Sequence, residues 1–178
     1  MSILTALELL PLIGALVIAF APKDNSKLVK QLALGTSLLV ALASILMALK
    51  FDKKASGFQF VESRPWVSLF NINYAVGVDG MALVLIVMST ILVPVVFLAS
   101  WNESENGRFS VKTYYILMLV LETMMVGVFA ATDVILFYVI FEAMLIPVYF
   151  LIGGYRRGER AAAAMKFLLY SLFGGLLM

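Results

Sequence analysis

An all-α fold, a bundle of helices that cross a membrane several times, is the class that this sequence predicts. The chain is 63% hydrophobic with only 13% charged residues, and its mean hydropathy is +1.03. A soluble domain of similar length is about half apolar and about a quarter charged. The apolar residues also fall into six runs, each close to the ~20 residues that cross ~30 Å of hydrocarbon. The runs cover residues 3–21, 30–50, 80–100, 113–131, 134–153 and 161–178.

The composition excludes several kinds of site. The chain has no Cys and no His, which excludes disulfides, iron–sulfur ligation, and haem or metal sites built on imidazole or thiolate. We therefore expect no redox centre and no metal in this chain. The formal net charge of +2 is too small to indicate binding to nucleic acid.

The first run, residues 3–21, is interpreted as a retained helix rather than a signal peptide. It lacks a basic amino-terminal region and a small-residue cleavage site before Lys23. Glu8, near the outer end of this helix, is interpreted as an interfacial side chain rather than a site. The last run reaches Met178 with no polar flank after "GGLLM", and we expect the chain to be a piece of a longer protein.

The distribution of Lys and Arg predicts the orientation. Loops 1–2, 3–4 and 5–6 carry eight basic residues, whereas loops 2–3 and 4–5 carry four. Because cytoplasmic loops are enriched in Lys and Arg, the amino terminus is predicted to face away from the cytoplasm. The eight are Lys23, Lys27, Lys30, Arg108, Lys112, Arg156, Arg157 and Arg160, and the four are Lys50, Lys53, Lys54 and Arg64.

The second loop, residues 51–79, is predicted to lie on the outer surface with structure of its own. Its segments "FQFV" and "INYAVGV" alternate in part between apolar and polar residues, with residues 63–65 as a break between them. This pattern predicts a small β-hairpin. Asp79 is predicted to be the N-cap of the third helix, because a short acceptor satisfies the free backbone N–H groups there. We favour this capping role over an ion-binding role.

Three charged residues lie inside the apolar runs. Glu142 is nine residues beyond Asp133, about 13 Å into the fifth helix at about 1.5 Å per residue. Glu122 is central in the fourth helix, and Lys166 is about 9 Å deep in the sixth. A charged residue at the centre of a spanning helix raises the free energy of membrane insertion by about 2.5–3.5 kcal/mol on insertion scales. Three such residues therefore indicate a functional role. A structural alternative stays open for each, because a neutral carboxyl can join two helices and a lysine can reach the membrane surface along its stem.

Hydroxyl groups and a proline accompany Glu142. Tyr138 (i−4) and Tyr149 (i+7) share its face at helical spacing. Pro147 cannot donate to the carbonyl of Ala143, so a free carbonyl and a kink are expected beside the acid.

Lys166 also has polar neighbours at helical spacing, namely Tyr170 at i+4 and Glu159 at i−7. Titratable groups at mid-depth, beside hydroxyls that hold water, are the layout of a proton relay.

The segments "GVFAATDVILFYVIFEAMLIPVYFLIGGY", "AAAAMKFLLYSLFGGLLM" and "INYAVGVDGMALVLIVMSTILVPV" resemble the antiporter-like subunits of respiratory complex I. Among them the chain is most similar to the branch of chain M, the counterpart of mitochondrial NADH dehydrogenase subunit 4. The resemblance spans the whole chain and is strong from Asp79 onward. Pro147 after "EAMLI", followed by Tyr149, is similar to chain M, whereas chains L and N and the Mrp sodium/proton antiporter subunits usually differ after the acid.

The resemblance implies an architecture of about fourteen helices in two inverted repeats, of which this chain would hold the amino-terminal part. Residues 1–112 would form three spanning helices with an outer-side loop at 51–79, and residues 113–178 would begin the first repeat. Within that repeat the resemblance matches the candidate site residues for proton translocation, and the residues around them, described above, give the polar groups that would support them. The candidates are Glu142, Lys166 and, as a weaker match, Glu122, and the supporting residues are Tyr138, Tyr149, Pro147 and Tyr170.

The function that the resemblance implies is that of a proton-translocating, membrane-arm subunit of NADH-quinone oxidoreductase. Glu142 would stabilise the charged form of a partner lysine on a later helix, which this sequence does not contain. The resemblance places NADH, FMN, Fe–S clusters and quinone in other subunits and no cofactor in this chain. Its partners would be the antiporter-like chains L and N and the lipid bilayer, with no nucleic acid, in a bacterial inner membrane.

Two other functions stay open at this point. A sodium/proton antiporter subunit of the Mrp type could use the same helices without electron transfer. The chain could also act only as a structural fragment in the assembly that holds it. The "LIP" after Glu142 favours the oxidoreductase subunit over the antiporter.

Overall fold

The computed structural model describes residues 3–22, 25–52, 57–67, 72–102, 110–155 and 160–177. In these ranges the chain forms six helices and two strands. Their order is α1 (Ile3–Phe20), α2 (Ser26–Lys50), β1 (Gln59–Val67), β2 (Ile72–Val78), α3 (Gly80–Ala99), α4 (Val111–Ala130), α5 (Val134–Tyr155) and α6 (Arg160–Leu177). Each helix corresponds to one of the predicted apolar runs, so the predicted all-α class is confirmed.

Five of the helices, α1 to α5, are long and apolar enough to cross a membrane. The apolar part of the sixth that the structure describes, Ala162–Leu177, is shorter. Large apolar side chains are exposed along the helices, as at Leu39, Leu42 and Leu46 of α2. An apolar surface of this extent suits lipid rather than water. The chain is therefore a multi-pass membrane protein.

Short polar side chains mark the starts of several helices. Asp79 accepts a hydrogen bond of 2.7 Å from the backbone N–H of Ala82, so its predicted N-cap role is confirmed. Asn25 and Ser110 accept in the same way at the starts of α2 and α4. Asp133 accepts from two backbone N–H groups in the first turn of α5. These caps fix where the spanning segments begin.

The predicted β-hairpin is present, but the predicted break inside it is wrong. Residues 63–65 belong to β1, where Ser63 pairs with Ala75 and Pro65 pairs with Asn73 of β2. Both strands of a two-stranded sheet are edge strands, so a proline is tolerated without the loss of an interior ladder bond. The pairing becomes irregular just after Pro65, where the register shifts.

The hairpin packs over one end of the helix bundle, which we call the hairpin end. Val76 and Val78 of β2 are fully buried there. The backbone N–H of Thr132, between α4 and α5, donates to the carbonyl of Ala75 at 2.9 Å. The hairpin is thus part of the folded core and not a free loop.

Helices α1 to α4 pack as one group, α1 against α4 and α2 against α3, with α5 on α4 and α6 on α5. Two buried apolar clusters hold the group together, one at each end. At the hairpin end the cluster includes Leu4, Leu7, Val40, Met47, Ile86, Val126 and Ala130. At the opposite end it includes Ala15, Ile18, Val29, Ala33, Val93, Phe97, Tyr115 and Leu119.

Candidate functional site

Glu142 lies inside the α5–α6 pair. It is eight residues beyond Val134, the first residue of α5, which is about 12 Å along the helix axis. Both of its carboxyl oxygens are buried, and neither has a hydrogen-bond partner among the residues that the structure describes. The predicted mid-helix acid is thus enclosed, and no described side chain or backbone group bonds to it.

Gly175 of α6 lies against the carboxyl of Glu142. A Cβ atom on Gly175 would lie less than 3.0 Å from Oε1 of Glu142, 3.5 Å from its Cδ and 3.6 Å from Cε2 of Tyr138. Tyr138 therefore shares the face of α5 on which Glu142 meets α6. Gly175 and Tyr138 also line a cavity of about 270 Å³. That cavity lies between Glu142 and the hairpin end of α5.

The other predicted neighbours of Glu142 lie on the far side of it along α5. Pro147 is buried within the helix, which continues to Tyr155. Because proline has no backbone N–H, the carbonyl of Ala143 lacks its usual helical donor. Tyr149 is half-buried, and its ring meets that of Phe150 edge-on at 5.5 Å.

Lys166 and Tyr170 lie together but away from Glu142. Both are exposed on α6, and with Leu169 and Phe173 they line a surface groove of about 410 Å³. Lys166 is nine residues from Gly175, the residue that meets Glu142, which is about 14 Å along α6. The described structure therefore does not bring the predicted lysine to the predicted acid. Glu159, the proposed i−7 neighbour of Lys166, lies outside the described residues.

Glu122 is fully buried on the face of α4 that also carries Tyr115, Leu119 and Val126. These neighbours belong to the two apolar clusters, so the acid lies between the clusters. Neither carboxyl oxygen has a hydrogen-bond partner in the described part of the chain. The structure thus shows a second enclosed carboxyl, without a direct hydrogen bond to Glu142.

Hydroxyl groups that the sequence analysis did not single out are buried within α2 and α3. The hydroxyls of Ser44 and Thr90 bond to each other at 2.7 Å across the two helices. Ser37 and Ser89 are also buried, and each bonds to a carbonyl of its own helix. Short polar residues at a spacing of seven, as at Ser37 and Ser44, are the signal in the sequence that could have indicated this buried face.

Glu8, which the sequence analysis interpreted as an interfacial side chain, is half-buried and contacts the hairpin. The hydroxyl of Tyr74 in β2 donates to Oε2 of Glu8 at 2.5 Å, and Oε1 of Glu8 is buried. The hydroxyl of Thr5, one turn earlier in α1, donates to Glu62 of β1. Burial, followed by the hydrogen bond to Glu8, raises the pKa of Tyr74 well above its ordinary value. The phenol therefore stays protonated and keeps donating, so Glu8 joins the hairpin to the bundle.

The chemistry available at these positions is proton binding and release. Within the described ranges, no group of three or more His, Cys, Asp and Glu side chains could hold a metal ion. The enclosed groups are single carboxyls, at Glu122 and Glu142, and the exposed group is the ammonium of Lys166. Groups of this kind inside a membrane act in ion pathways and proton relays.

Comparison with known proteins identifies two matching families. The family model described as "NADH-ubiquinone oxidoreductase chain 4, amino terminus" matches residues 7–128. The family model described as "NADH:quinone oxidoreductase/Mrp antiporter, TM" matches residues 131–178, the part that holds Glu142 and Lys166.

Individual relatives agree with the family matches. The chain is 40% identical over 202 residues to "NADH-quinone oxidoreductase subunit M" of Mycobacterium tuberculosis, an alignment that covers 98% of this chain and 36% of the relative. It is 37% identical over 176 residues to "NADH-ubiquinone oxidoreductase chain 4" of Arabidopsis thaliana, with 98% and 35% covered. It is 37% identical over 181 residues to "NADH-quinone oxidoreductase subunit M" of Rhodobacter capsulatus, with 99% and 34% covered. The chain thus spans about a third of the length of these relatives.

Proposed function

Because this chain belongs to the family of NADH-ubiquinone oxidoreductase chain 4, we propose that it forms the amino-terminal part of a membrane-arm subunit of a proton-translocating NADH:quinone oxidoreductase. In this proposal the complex couples quinone reduction to proton pumping. The chain contributes intramembrane carboxyl and ammonium groups to the pumping path and carries no redox centre. The division into residues 1–112 and 113–178, the latter beginning an antiporter-like repeat, is part of the same proposal.

The surroundings of Glu142 are the observation that carries the proposal. A buried carboxyl that serves as packing holds a neighbouring helix through its hydrogen bonds. Neither oxygen of Glu142 makes such a bond within the described residues, although both are buried. Burial of a carboxyl costs several kcal/mol, and here no hydrogen bond offsets that cost. The presence of an acid at this position is therefore better explained by a role for its charge. Its role would be to alter the protonation of another group.

The mechanism follows from Coulomb attraction in a medium of low dielectric constant. A carboxylate at Glu142 would stabilise the protonated form of a lysine on a later helix of the subunit. Quinone reduction elsewhere in the complex would weaken or strengthen that pairing, and the lysine would release and regain its proton accordingly. Tyr138, half-buried beside Glu142, would hold water at the carboxyl.

Lys166 and Tyr170 take a separate place in the proposal. Both lie on the exposed face of α6, about 14 Å along the helix from the level of Glu142. They would be early groups of the proton path. Water, together with side chains of helices that follow in the subunit, would connect them to Glu142. Glu122 would be a peripheral acid of the same path, with Tyr149 and Pro147 as supporting groups near Glu142.

The remaining components would reside in other chains. NADH, FMN, Fe–S clusters and quinone would bind to other subunits, and the direct partners of this one would be the antiporter-like chains L and N. The site of action would be a bacterial inner membrane, with the amino terminus of this chain facing away from the cytoplasm. A subunit of an Mrp sodium/proton antiporter is the second candidate. It is less well supported, because the relatives that share the whole chain are named as oxidoreductase subunits.

The test is the substitution Glu142→Gln in the full subunit within the assembled complex. Glutamine keeps the size and the hydrogen-bonding capacity of the side chain but removes the charge. We expect NADH-driven proton uptake into inverted membrane vesicles to fall severely, as it should in Glu142→Ala, while blue-native gels show normal assembly. Glu142→Asp should keep part of the activity. Full pumping by an assembled Glu142→Gln complex would contradict the proposal and leave the residue as a packing contact.

A further inference from the structure

We infer that Gly175 of α6 is the positioning residue that fixes the Glu142 carboxyl, because only a residue without a side chain leaves room for that carboxyl at the α5–α6 contact. The inference rests on the proposed function of Glu142. It adds a residue on a different helix, one that has no titratable group of its own.

The first support is the geometry of the contact. A Cβ at residue 175 would approach Oε1 of Glu142 to less than 3.0 Å, a separation that real Cβ atoms essentially never show. The nearby Cδ of Glu142 and Cε2 of Tyr138 would lie at 3.5 and 3.6 Å, which are ordinary van der Waals contacts. The conflict is therefore confined to the carboxyl oxygen. A methyl group would push that oxygen away and leave the rest of the interface in place.

The second support is that the carboxyl has nothing else among the described residues to hold it. Both oxygens are buried without a hydrogen bond in that part of the chain, so packing alone determines where they lie. The shape of α6 at Gly175 then sets the distance from the carboxyl to any group that it influences. Because the Coulomb energy between two charges depends on their separation, a displaced carboxyl would act on its partner with a different strength.

The next residue in the chain provides a matched control. Gly174 is exposed, and a Cβ there would meet nothing within 4 Å. Replacement of either glycine by alanine raises the helix propensity of α6 by the same amount. The two variants therefore differ chiefly in whether the new methyl group meets Glu142 and the adjacent ring of Tyr138.

The experiment compares Gly175→Ala, Gly174→Ala and Glu142→Gln in the full subunit, with NADH-driven proton uptake, its pH profile and complex assembly as readouts. We expect Gly174→Ala to pump as the parent does. We expect Gly175→Ala to lose about tenfold or more, since misplacement of a reacting group by about 1 Å can cost on the order of 100-fold. The pH profile of its remaining activity should also shift, which a general loosening of the helix pair would not cause.

A compensating substitution distinguishes displacement of the acid from damage to the fold. Aspartate at residue 142 is one methylene shorter and withdraws the carboxyl from α6. We therefore expect the double variant Gly175→Ala/Glu142→Asp to pump better than Gly175→Ala alone. The inference is overturned if Gly175→Ala pumps as Gly174→Ala does, or if the double variant, like Gly175→Ala, fails to pump or to assemble. Normal pumping by Glu142→Gln would instead defeat the proposed function itself.

Discussion

Three glutamates lie inside the helices that the structure describes, and their surroundings differ. Glu8 receives a hydrogen bond from Tyr74 at the hairpin end. Glu122 and Glu142 receive none from the described residues, although their oxygens are buried. Glu122 lies between apolar clusters of α1 to α4, whereas Glu142 faces α6. Of the three, Glu142 is the one that itself lies within the antiporter-like match at residues 131–178.

This difference predicts a mild effect for Glu122→Gln. Glutamine fills the same space, and no described group near Glu122 depends on a negative charge. We expect the variant to assemble and to keep most of its proton uptake. Glu122→Ala should melt at a lower temperature than Glu122→Gln, because alanine leaves a cavity in a packed interior that glutamine fills. Proton uptake and a thermal melt of the purified complex measure the two effects. A loss of pumping in Glu122→Gln as severe as in Glu142→Gln would show that both acids act in one path.

The sequence could place Glu142, Glu122 and Lys166 along their helices, because depth follows from residue count. It could not show which way each side chain faces. Helices that are apolar on all sides carry no clear stripe to mark the inner face. The structure shows Lys166 exposed on α6 and away from Glu142, which the sequence did not indicate. The contact of Gly175 with Glu142 could not be predicted either, because it depends on how α5 and α6 pack against each other.

At the scale of whole elements, the hairpin is fastened to the bundle by polar contacts as well as by apolar burial. Tyr74 of β2 donates to Glu8, and Thr5 donates to Glu62 of β1. Val76 is buried in the apolar cluster at the hairpin end. The alternation within "INYAVGV" was enough to predict β2. The contact of β2 with α1 joins residues that are 66 positions apart in the chain, so no local pattern indicates it.

The hydrogen bond between Tyr74 and Glu8 gives a prediction at this scale. Tyr74→Phe removes only the hydroxyl and leaves a half-buried carboxyl oxygen without its donor. We expect a loss of about 1–3 kcal/mol in stability, the usual cost of an unsatisfied buried group. Faster hydrogen exchange of the backbone amides in Ile72–Val78 would report the loosened strand.

A double-mutant cycle with Glu8→Leu separates this bond from other effects of the two substitutions. If the bond carries the effect, the double variant should be less destabilised than the sum of the single variants, because both polar groups are then gone. Strict additivity would show that Tyr74 and Glu8 stabilise the hairpin independently of each other.

At the scale of the whole molecule, the bundle has two chemically different ends. The hairpin covers one end. At the other, the ammonium of Lys112 donates to the carbonyl of Ala21 at 2.8 Å, and that of Lys30 donates to the carbonyl of Trp101 at 2.5 Å and lies over its ring. These lysines bind the carboxyl ends of α1 and α3, where positive charge is favourable.

The six apolar runs and their order could be predicted from composition, because the bilayer thickness fixes the length of each run. How the helices group could not be predicted. α1 packs mainly on α4 rather than on its neighbour α2, and such a choice depends on the shapes of side chains that are all apolar. The division at residue 112 and the direction in which the bundle crosses the membrane stay predictions.

The direction of crossing gives the last prediction. Lys27, in the first turn of α2, and Ser63, in β1, are both exposed. The 25 residues of α2 separate the end of the bundle that holds Lys27 from the hairpin end that holds Ser63. The rule that Lys and Arg are enriched in cytoplasmic loops assigns the Lys27 end to the cytoplasm. Because these 178 residues contain no cysteine, Lys27→Cys and Ser63→Cys each introduce a single thiol into this part of the subunit, and the unsubstituted subunit serves as the labelling control. A membrane-impermeant maleimide added to intact cells should label Ser63→Cys and leave Lys27→Cys unlabelled, and in inverted vesicles the result should reverse.

Labelling of both thiols from the same side would contradict the fold, since the hairpin that holds Ser63 and the start of α2 that holds Lys27 lie at opposite ends of the bundle. The reverse pattern would keep the fold and overturn the orientation, and the cavity lined by Tyr138 and Gly175 would then lie toward the cytoplasm.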